Sequence, residues 1–265
     1  KRTNSGVGSS ADLSQIQGRV ARAYSNMAAA QNNLDDARAE YLRVVNSEPT
    51  DLVEPADGSL VLPASLDDAL KNATTNNPVL LSAMEDINAA QYQHEGAKAN
   101  YYPKVSLEAG QSWYEDASGD AGYSDELSAM LRVRYNLFNG GADDARSRST
   151  SALYSQAKDL HMNAYRQVEE GTRLAWQARE SLQSQKQFQQ QHVEYSYETV
   201  RAYKQQFTLG QRTLLDVLNT ENELFEARKS LISTQYDELF AQYRILNATG
   251  TLLDSLKVQK PTEWN

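Results

Sequence analysis

A stretch without proline, from Asp143 to Gly250, constrains the fold of this chain more than any other feature. Proline in the interior of a helix costs about 3 kcal/mol, so such a stretch is typical of long helices. From about Asp143 to Gln206, small or apolar residues recur with a mean spacing of about 3.6 residues, the period of a straight α-helix. A helix of this span would be roughly 96 Å long, which predicts an elongated molecule.

Two further long helices are predicted at the ends of the chain. One runs from about Arg212 to Ala248, and the short link before it favours an antiparallel helical hairpin. The other runs from about Ser10 to Val45. The segment Gly6–Pro49 aligns without gaps on Gly210–Leu253 and keeps its pattern of apolar positions, which predicts an internal duplication.

Two shorter helices are predicted between residues 63 and 100. Ser65 and Asp68 have the spacing of a capping box, with aspartate in place of glutamate, and indicate a helix start. Asn77 and Pro78 interrupt this helix, because the residue before proline avoids the helical region. A new helix is therefore expected from Pro78 to about Asn100.

The residues between the helices alternate with a period of two, which predicts two half-buried strands, Lys104–Tyr114 and Glu126–Phe138, joined by a polar loop. A lone hairpin is marginal in water. The alternatives are an edge of a soluble sheet and a lipid-facing barrel with a wet lumen, which would need several chains. Charged side chains on one face would line the lumen or prevent edge aggregation. The residues singled out are Val105, Leu107, Trp113, Leu131 and Val133 on the apolar face, and Arg132 and Arg134 on the polar face.

Composition excludes several classes of function. The formal net charge of −9 argues against nucleic-acid binding, because no stretch is basic enough to neutralise a row of phosphates. No window approaches 18 consecutive apolar residues, which argues against a transmembrane helix but not against a barrel. The chain has no cysteine, its three histidines are scattered, and no catalytic constellation stands out. We therefore predict no enzyme, no metal site and no cofactor.

Several motifs together resemble the TolC family of outer-membrane channel proteins, and their order spans almost the whole chain. One of them, FTLGQRTLLDVL, lies at the predicted helical hairpin. The matching segments are Leu66–Leu70 with Asn77 and Pro78, Ala99–Val105, Tyr135–Gly141, Phe207–Leu218 and Leu246–Leu252.

The resemblance implies a mainly α chain with long antiparallel helical hairpins that build an α-barrel tunnel, and a β-hairpin that contributes to a trimeric transmembrane β-barrel of 12 strands. Relative to the family, the chain lacks the first long helices and first hairpin, so we expect an N-terminally truncated fragment. The implied parts are 1–47 (periplasmic tip and helix of the first repeat), 48–77 (equatorial linker), 78–103 (tunnel helix), 104–138 (transmembrane β-hairpin), 139–250 (long tunnel helices with a periplasmic tip near 207–218) and 251–265 (C-terminal equatorial tail).

The resemblance also implies roles for residues at the periplasmic tip. Arg212 and Asp12 match polar partners that hold the tunnel closed, whereas Phe207 replaces a tyrosine of that network. Asp216 matches an acidic ring at the narrowest point, and Asn219 would make the next ring uncharged. From its position alone, without the resemblance, Asp216 is read as a first-turn residue favoured by the helix dipole. The implied docking site for an adaptor comprises Gly210, Thr213 and Gly8.

The implied function is a passive export duct in the outer membrane with a periplasmic helical extension. Its implied partners are two further copies of the chain, outer-membrane lipid, a periplasmic adaptor (membrane fusion) protein, and an inner-membrane ABC or proton-driven transporter. Type I protein secretion and multidrug efflux use similar ducts, so the cargo stays open. The alternative is a soluble coiled-coil scaffold or adaptor of the cell envelope, in which the hairpin would be incidental.

Overall fold

The fold is mainly helical with one β-hairpin, as predicted. A computed structural model describes residues 10–53, 55, 60–115, 119 and 121–258, without the side chains of residues 10–12. A short 3₁₀ turn, Ala99–Tyr101, lies before the first strand. The elements in order are α1 (Ser10–Val45), α2 (Leu66–Asn76), α3 (Pro78–Lys98), β1 (Lys104–Glu115), β2 (Tyr123–Arg134), α4 (Ala142–Thr208), α5 (Leu214–Ala248) and α6 (Leu252–Ser255).

Helices α1 and α5 begin and end at equivalent places of the predicted duplication. The alignment places Ser10 on Leu214, the first residues of the two helices, and Asn46 on Gly250. Asn46 (φ 60°) and Gly250 (φ 71°) both adopt the left-handed conformation that terminates helices. The similarity between the two segments therefore extends from the apolar pattern to the backbone of the caps.

The starts of α2 and α3 follow the predicted local chemistry. The Ser65 hydroxyl accepts a hydrogen bond from the Asp68 N–H (3.1 Å) and donates one to Asp68 Oδ2 (2.8 Å), which completes the capping box. The Asn77 side chain accepts from the Val79 N–H (2.9 Å) and caps α3, whose first residue is Pro78. Proline suits this position because its missing N–H would have no helical partner there.

Strands β1 and β2 pair antiparallel along their whole length, from Lys104 opposite Arg134 to Glu115 opposite Tyr123. The predicted end of the second strand at Phe138 is wrong, because β2 ends at Arg134. The partner strand cannot be extended to pair with residues 135–138, since the residue before Lys104 is Pro103, which has no N–H to donate. Strand β2 also starts earlier than predicted, at Tyr123 instead of Glu126. The reason is that β1 continues to Glu115, which pairs with Tyr123.

The prediction that these strands are half-buried is wrong for the single chain. Every residue of β1 and β2 is exposed, on both faces. Leu107 is 77% exposed and its cross-strand partner Leu131 is 68% exposed. Within the described residues the sheet has two strands, so nothing covers its apolar face.

The chain divides into two units, one of which comprises residues 63–176 and 244–265. Its core contains the end of α5, where Ile245 and Leu246 are fully buried. The buried Asn77 side chain donates a hydrogen bond to the Ala248 carbonyl (2.8 Å), which ties the α2–α3 junction to the end of α5. Gly250 follows at the same junction, where its backbone lies against Asn76.

The other unit comprises residues 1–62 and 177–243. In it, α4 and α5 run antiparallel, as predicted, and are joined by ion pairs such as Lys186–Glu238 (2.8 Å) and Lys204–Glu221. The described side chains of α1 are exposed, except for those of Ile16, Arg19 and Tyr41, which are half-buried. Helix α1 therefore buries little surface within this chain.

Among the described residues, no helix combines the length and the apolar character needed to cross a lipid bilayer.

Candidate functional site

The connection between α4 and α5 is a tight turn closed by Gly210. The Gln211 N–H donates to the Gln206 carbonyl (2.9 Å), and the Gly210 N–H donates to the Phe207 carbonyl (3.1 Å). This is the Schellman pattern, which requires a left-handed residue, and Gly210 has φ 77°. Thr208 adds a hydrogen bond from its hydroxyl to the Gln205 carbonyl (2.6 Å). The turn thus saturates the last carbonyls of α4 and reverses the chain within a few residues.

Asp216 and Thr213 form a capping box at the start of α5. Asp216 Oδ2 accepts hydrogen bonds from the Thr213 N–H (3.0 Å) and hydroxyl (2.8 Å), and the Asp216 N–H donates to Thr213 Oγ1 (3.2 Å). The structure therefore gives Asp216 the first-turn role that its position allows. The second carboxylate oxygen, Oδ1, accepts no hydrogen bond from the described residues, so capping leaves it open to ions.

The capping interactions keep Asp216 charged. The hydrogen bonds from the Thr213 hydroxyl and backbone N–H lower the pKa of Asp216 below its usual value; desolvation opposes them, and the nearby Arg212 guanidinium adds a smaller lowering. Because the pKa is lowered on folding, the contribution of this group to stability is present at neutral pH. It is lost only as the pH falls through the lowered pKa in the acid range.

Arg212 folds back onto α4. Its Nε donates to Gln206 Oε1 (3.0 Å), and its guanidinium carbon lies 4.3 Å from the centroid of the Tyr203 ring. Phe207, which the resemblance predicts to replace a tyrosine of the closing network, lies one turn after Tyr203 on α4. Arg212 thus has Tyr203 as an aromatic partner, a contact that the sequence analysis missed. The predicted partner Asp12 lies in α1, but its side chain is outside the described part, so the predicted link stays a prediction.

Asn219, one turn after Asp216, is bound by an arginine from a distant part of the chain. Arg19 of α1 donates from its terminal guanidinium nitrogen to Asn219 Oδ1 at 2.7 Å. Arg19 is half-buried on a helix whose described side chains are mostly exposed. The prediction of an uncharged ring at Asn219 rested on its amide side chain alone. In the structure, the positive charge of Arg19 lies beside that amide.

Replacing Arg19 by alanine should loosen α1 from α5. The lost hydrogen bond has a charged donor but a half-exposed position, so we expect a loss of about 1 kcal/mol in the stability of this contact. Hydrogen exchange of the α1 amides should quicken, and Asn219→Ala should give the same result without adding to it in the double variant. The matched control is Arg22→Ala, an exposed arginine one turn later; equal effects of the two arginine variants would contradict the assignment.

The two faces of the hairpin have opposite chemistry. On one face the directly opposed pairs include Val105 with Val133 and Leu107 with Leu131. Towards the loop end this face also carries Trp113 and, on β2, Tyr123, beside Gln111, whose amide donates to Asp125 Oδ1 (3.2 Å). The apolar residues predicted from the sequence thus lie on one surface and extend over two neighbouring strands.

The other face carries mainly charged and small polar residues, together with Met130 and Tyr114. Arg132 forms an ion pair with Glu108, with its Nε 2.9 Å from Glu108 Oε1. Lys104 and Arg134 lie directly opposite each other at the base of the hairpin. Ser128 donates to the Gly110 carbonyl across the strands (3.3 Å). This face is suited to water, because each of these charged and polar groups is hydrated or hydrogen-bonded when solvent reaches it.

The remaining predicted site residues fall at the tip. Gly210 and Thr213 occupy the turn and the cap of α5, whereas Gly8 lies outside the described residues. The contacts of Arg19, Tyr203 and Gln206 were missed. A signal existed for Tyr203, which belongs to the periodic face of α4, but Arg19 and Asn219 are separated by 200 positions, and no local pattern joins them.

Comparison with known proteins identifies the family. The model of the family described as outer membrane efflux protein matches residues 69–251. The chain belongs to the outer membrane efflux protein family. This confirms the resemblance to TolC-type channels predicted from the motifs.

Curated relatives of this chain include the outer membrane efflux protein BepC of Brucella suis, 28% identical over 268 residues that cover 99% of this chain and 59% of BepC. The protease secretion protein PrtF of Dickeya chrysanthemi is 25% identical over 93% of this chain and 55% of PrtF. The chain therefore spans a little over half the length of these relatives.

The fold of this efflux-family chain is also found among solved structures. The crystal structure of the outer membrane protein VceC from Vibrio cholerae matches with a TM-score of 0.76 and 20% identity, over 94% of this chain and 60% of VceC. This likeness supports the fold of long helices joined to a β-hairpin.

Proposed function

We propose that this protein, at its native length, is the outer-membrane duct of a tripartite export system. Three copies would enclose a β-barrel in the outer membrane and an α-helical tunnel in the periplasm. The observation that carries the proposal is the hairpin, whose apolar face is uncovered and whose other face is polar. Lipid would cover the first face, and water in the lumen would hydrate the second.

The length of the hairpin supports a membrane-spanning role. A tilted transmembrane strand needs about 9–11 residues, and β1 and β2 have 12 residues each. Trp113 and Tyr123 lie towards one end of the apolar face, where the aromatic residues of a membrane barrel meet the lipid–water boundary. In this arrangement Val105, Leu107, Leu131 and Val133 face lipid, and Arg132 faces the lumen together with Arg134.

The other parts are assigned by the family. In our proposal, residues 1–47, 78–103 and 139–250 supply tunnel helices, 104–138 the transmembrane hairpin, and 48–77 with 251–265 an equatorial belt. The tip near 207–218 would be the periplasmic entrance, where Gly210 and Thr213, with Gly8, would contact a periplasmic adaptor. The adaptor would connect the duct to an inner-membrane ABC or proton-driven transporter, since relatives are named for both efflux and protease secretion.

A channel measurement tests the proposal. The native-length protein should require detergent for solubility, run as a trimer, and conduct ions in a planar bilayer. The competing function, a soluble scaffold of the cell envelope, predicts full solubility without detergent. It also predicts that deleting 104–138 alters neither oligomeric state nor location, and that result would overturn the proposed duct.

Asp216→Asn should weaken the preference of the channel for cations. Three Asp216 carboxylates around a threefold axis would attract cations, and their lowered pKa keeps them charged at neutral pH. The check is the reversal potential in a KCl gradient. Thr213→Val, which removes the hydroxyl donor to Asp216, should leave the preference intact at neutral pH but shift its loss on acidification to higher pH. An unchanged cation preference in Asp216→Asn would remove Asp216 from the pore.

A further inference from the structure

We propose that Lys104 and Arg134 form a binding site for the anionic groups of the cargo, carboxylates or phosphates, at the base of the hairpin. This inference rests on the proposed function, because it needs the polar face of the hairpin to line a lumen. It adds to that function a class of chemical group on the passenger, carboxylate or phosphate, and a place in the lumen where that group binds.

The register of the hairpin puts these two cations side by side. Lys104 and Arg134 are the first directly opposed pair of the ladder. Side chains at opposed positions have Cβ atoms only about 4.5–5.5 Å apart, and like charges placed there are destabilising. Both residues are exposed, and neither forms an ion pair or a side-chain hydrogen bond with the described residues. The two positive charges therefore lack an anionic partner among the described residues, and an incoming anion would neutralise them.

The neighbouring arginine on the same face is already neutralised. Arg132, two residues before Arg134, is paired with Glu108 at 2.9 Å. The chain thus satisfies one cation of this face internally and leaves two without a partner, at the end where the strands meet the helices. A guanidinium offers a planar fork to carboxylate or phosphate, and the ammonium beside it adds a point charge.

This positively charged pair is opposite in sign to the net charge of the chain. The chain has 35 acidic and 26 basic residues, so its general field repels anions. In a threefold assembly, the site would repeat three times around one lumen, where low-dielectric walls concentrate the field. The local concentration of anionic cargo would be raised there, after it has passed the Asp216 level at the tip.

The test is ion selectivity and block of the native-length channel in a bilayer of phosphatidylcholine, so that no anionic lipid competes for the site. The Lys104→Gln/Arg134→Gln double variant should lower the permeability ratio of chloride to potassium at least about twofold, and block by tripolyphosphate should weaken about tenfold. Glu108→Gln, which frees Arg132, should shift both quantities in the opposite direction. The charge-matched control, Lys71→Gln/Arg166→Gln, removes two exposed helical cations and should change neither.

The outcomes separate this inference from the proposed function. If the wild-type protein does not conduct, the duct itself is wrong. If it conducts and the double variant keeps wild-type selectivity and block, only the anion site is wrong. The double variant should also be at least as heat-stable as the wild type, because it relieves a like-charge pair. A less stable variant with unchanged selectivity would assign the two residues a structural role and overturn the site.

Discussion

Leu131→Arg should keep the protein out of the outer membrane. Leu131 lies in the middle of the apolar face, opposite Leu107, and is 68% exposed in the single chain. If this face meets lipid, an arginine there costs about 2–4 kcal/mol in each copy of the hairpin. We therefore expect the variant to accumulate outside the membrane fraction or to be degraded, as measured by outer-membrane fractionation and by trimer yield.

The control for this prediction is Ser128→Arg. Ser128 lies on the same strand, three residues away, but on the polar face opposite Gly110. The same charge should there meet water and leave insertion intact. Equal loss of membrane protein in both variants would mean that the two faces do not differ in environment, which contradicts the arrangement.

Gly250→Ala should destabilise the unit that contains the end of α5. Gly250 has φ 71°, and an added Cβ would collide with the Asn76 carbonyl group and lie 3.0 Å from Asn77 Cα. The left-handed backbone costs about 1–2 kcal/mol with a side chain, and displacing another backbone segment adds about 1–3 kcal/mol. We expect a loss of about 3 kcal/mol or more in the free energy of unfolding, measured by denaturant titration in detergent.

The matched control is Gly210→Ala. Gly210 has nearly the same backbone, with φ 77°, but no atom lies within 4 Å of the added Cβ. Only the conformational cost should remain, about 1–2 kcal/mol. If the two variants lose equal stability, the close approach between Gly250 and the α2–α3 junction does not contribute.

The sequence predicted the helices well because their signals are local. The missing prolines, the capping residues Ser65 and Asn77, and the terminal glycines place the ends of the helices within a few residues of those observed. The equivalence of Asn46 and Gly250 could also be predicted from the sequence, because it requires only the alignment of two segments. Local signals of this kind depend on residues near one another in the chain.

What could not be predicted depends on distant partners. The end of β2 at Arg134 is set by Pro103 on the other strand, whereas alternation alone carries the pattern on to Phe138. The contact between Arg19 and Asn219 requires α1 to lie beside α5. The exposure of both hairpin faces was missed because the period of two indicates that the faces differ but does not say what covers either one.

The most direct test of the duct is a spin-label scan of β1 in the native-length protein reconstituted in bilayers. These 265 residues contain no cysteine, so none of them competes with single-cysteine labels placed from residue 104 to 115. Collision rates with oxygen, which partitions into lipid, and with a water-soluble nickel chelate would be measured at each position. We predict that both alternate with a period of two and in opposite phase, with oxygen highest at Val105 and Leu107. Uniform access of the nickel chelate along the strand would contradict the account.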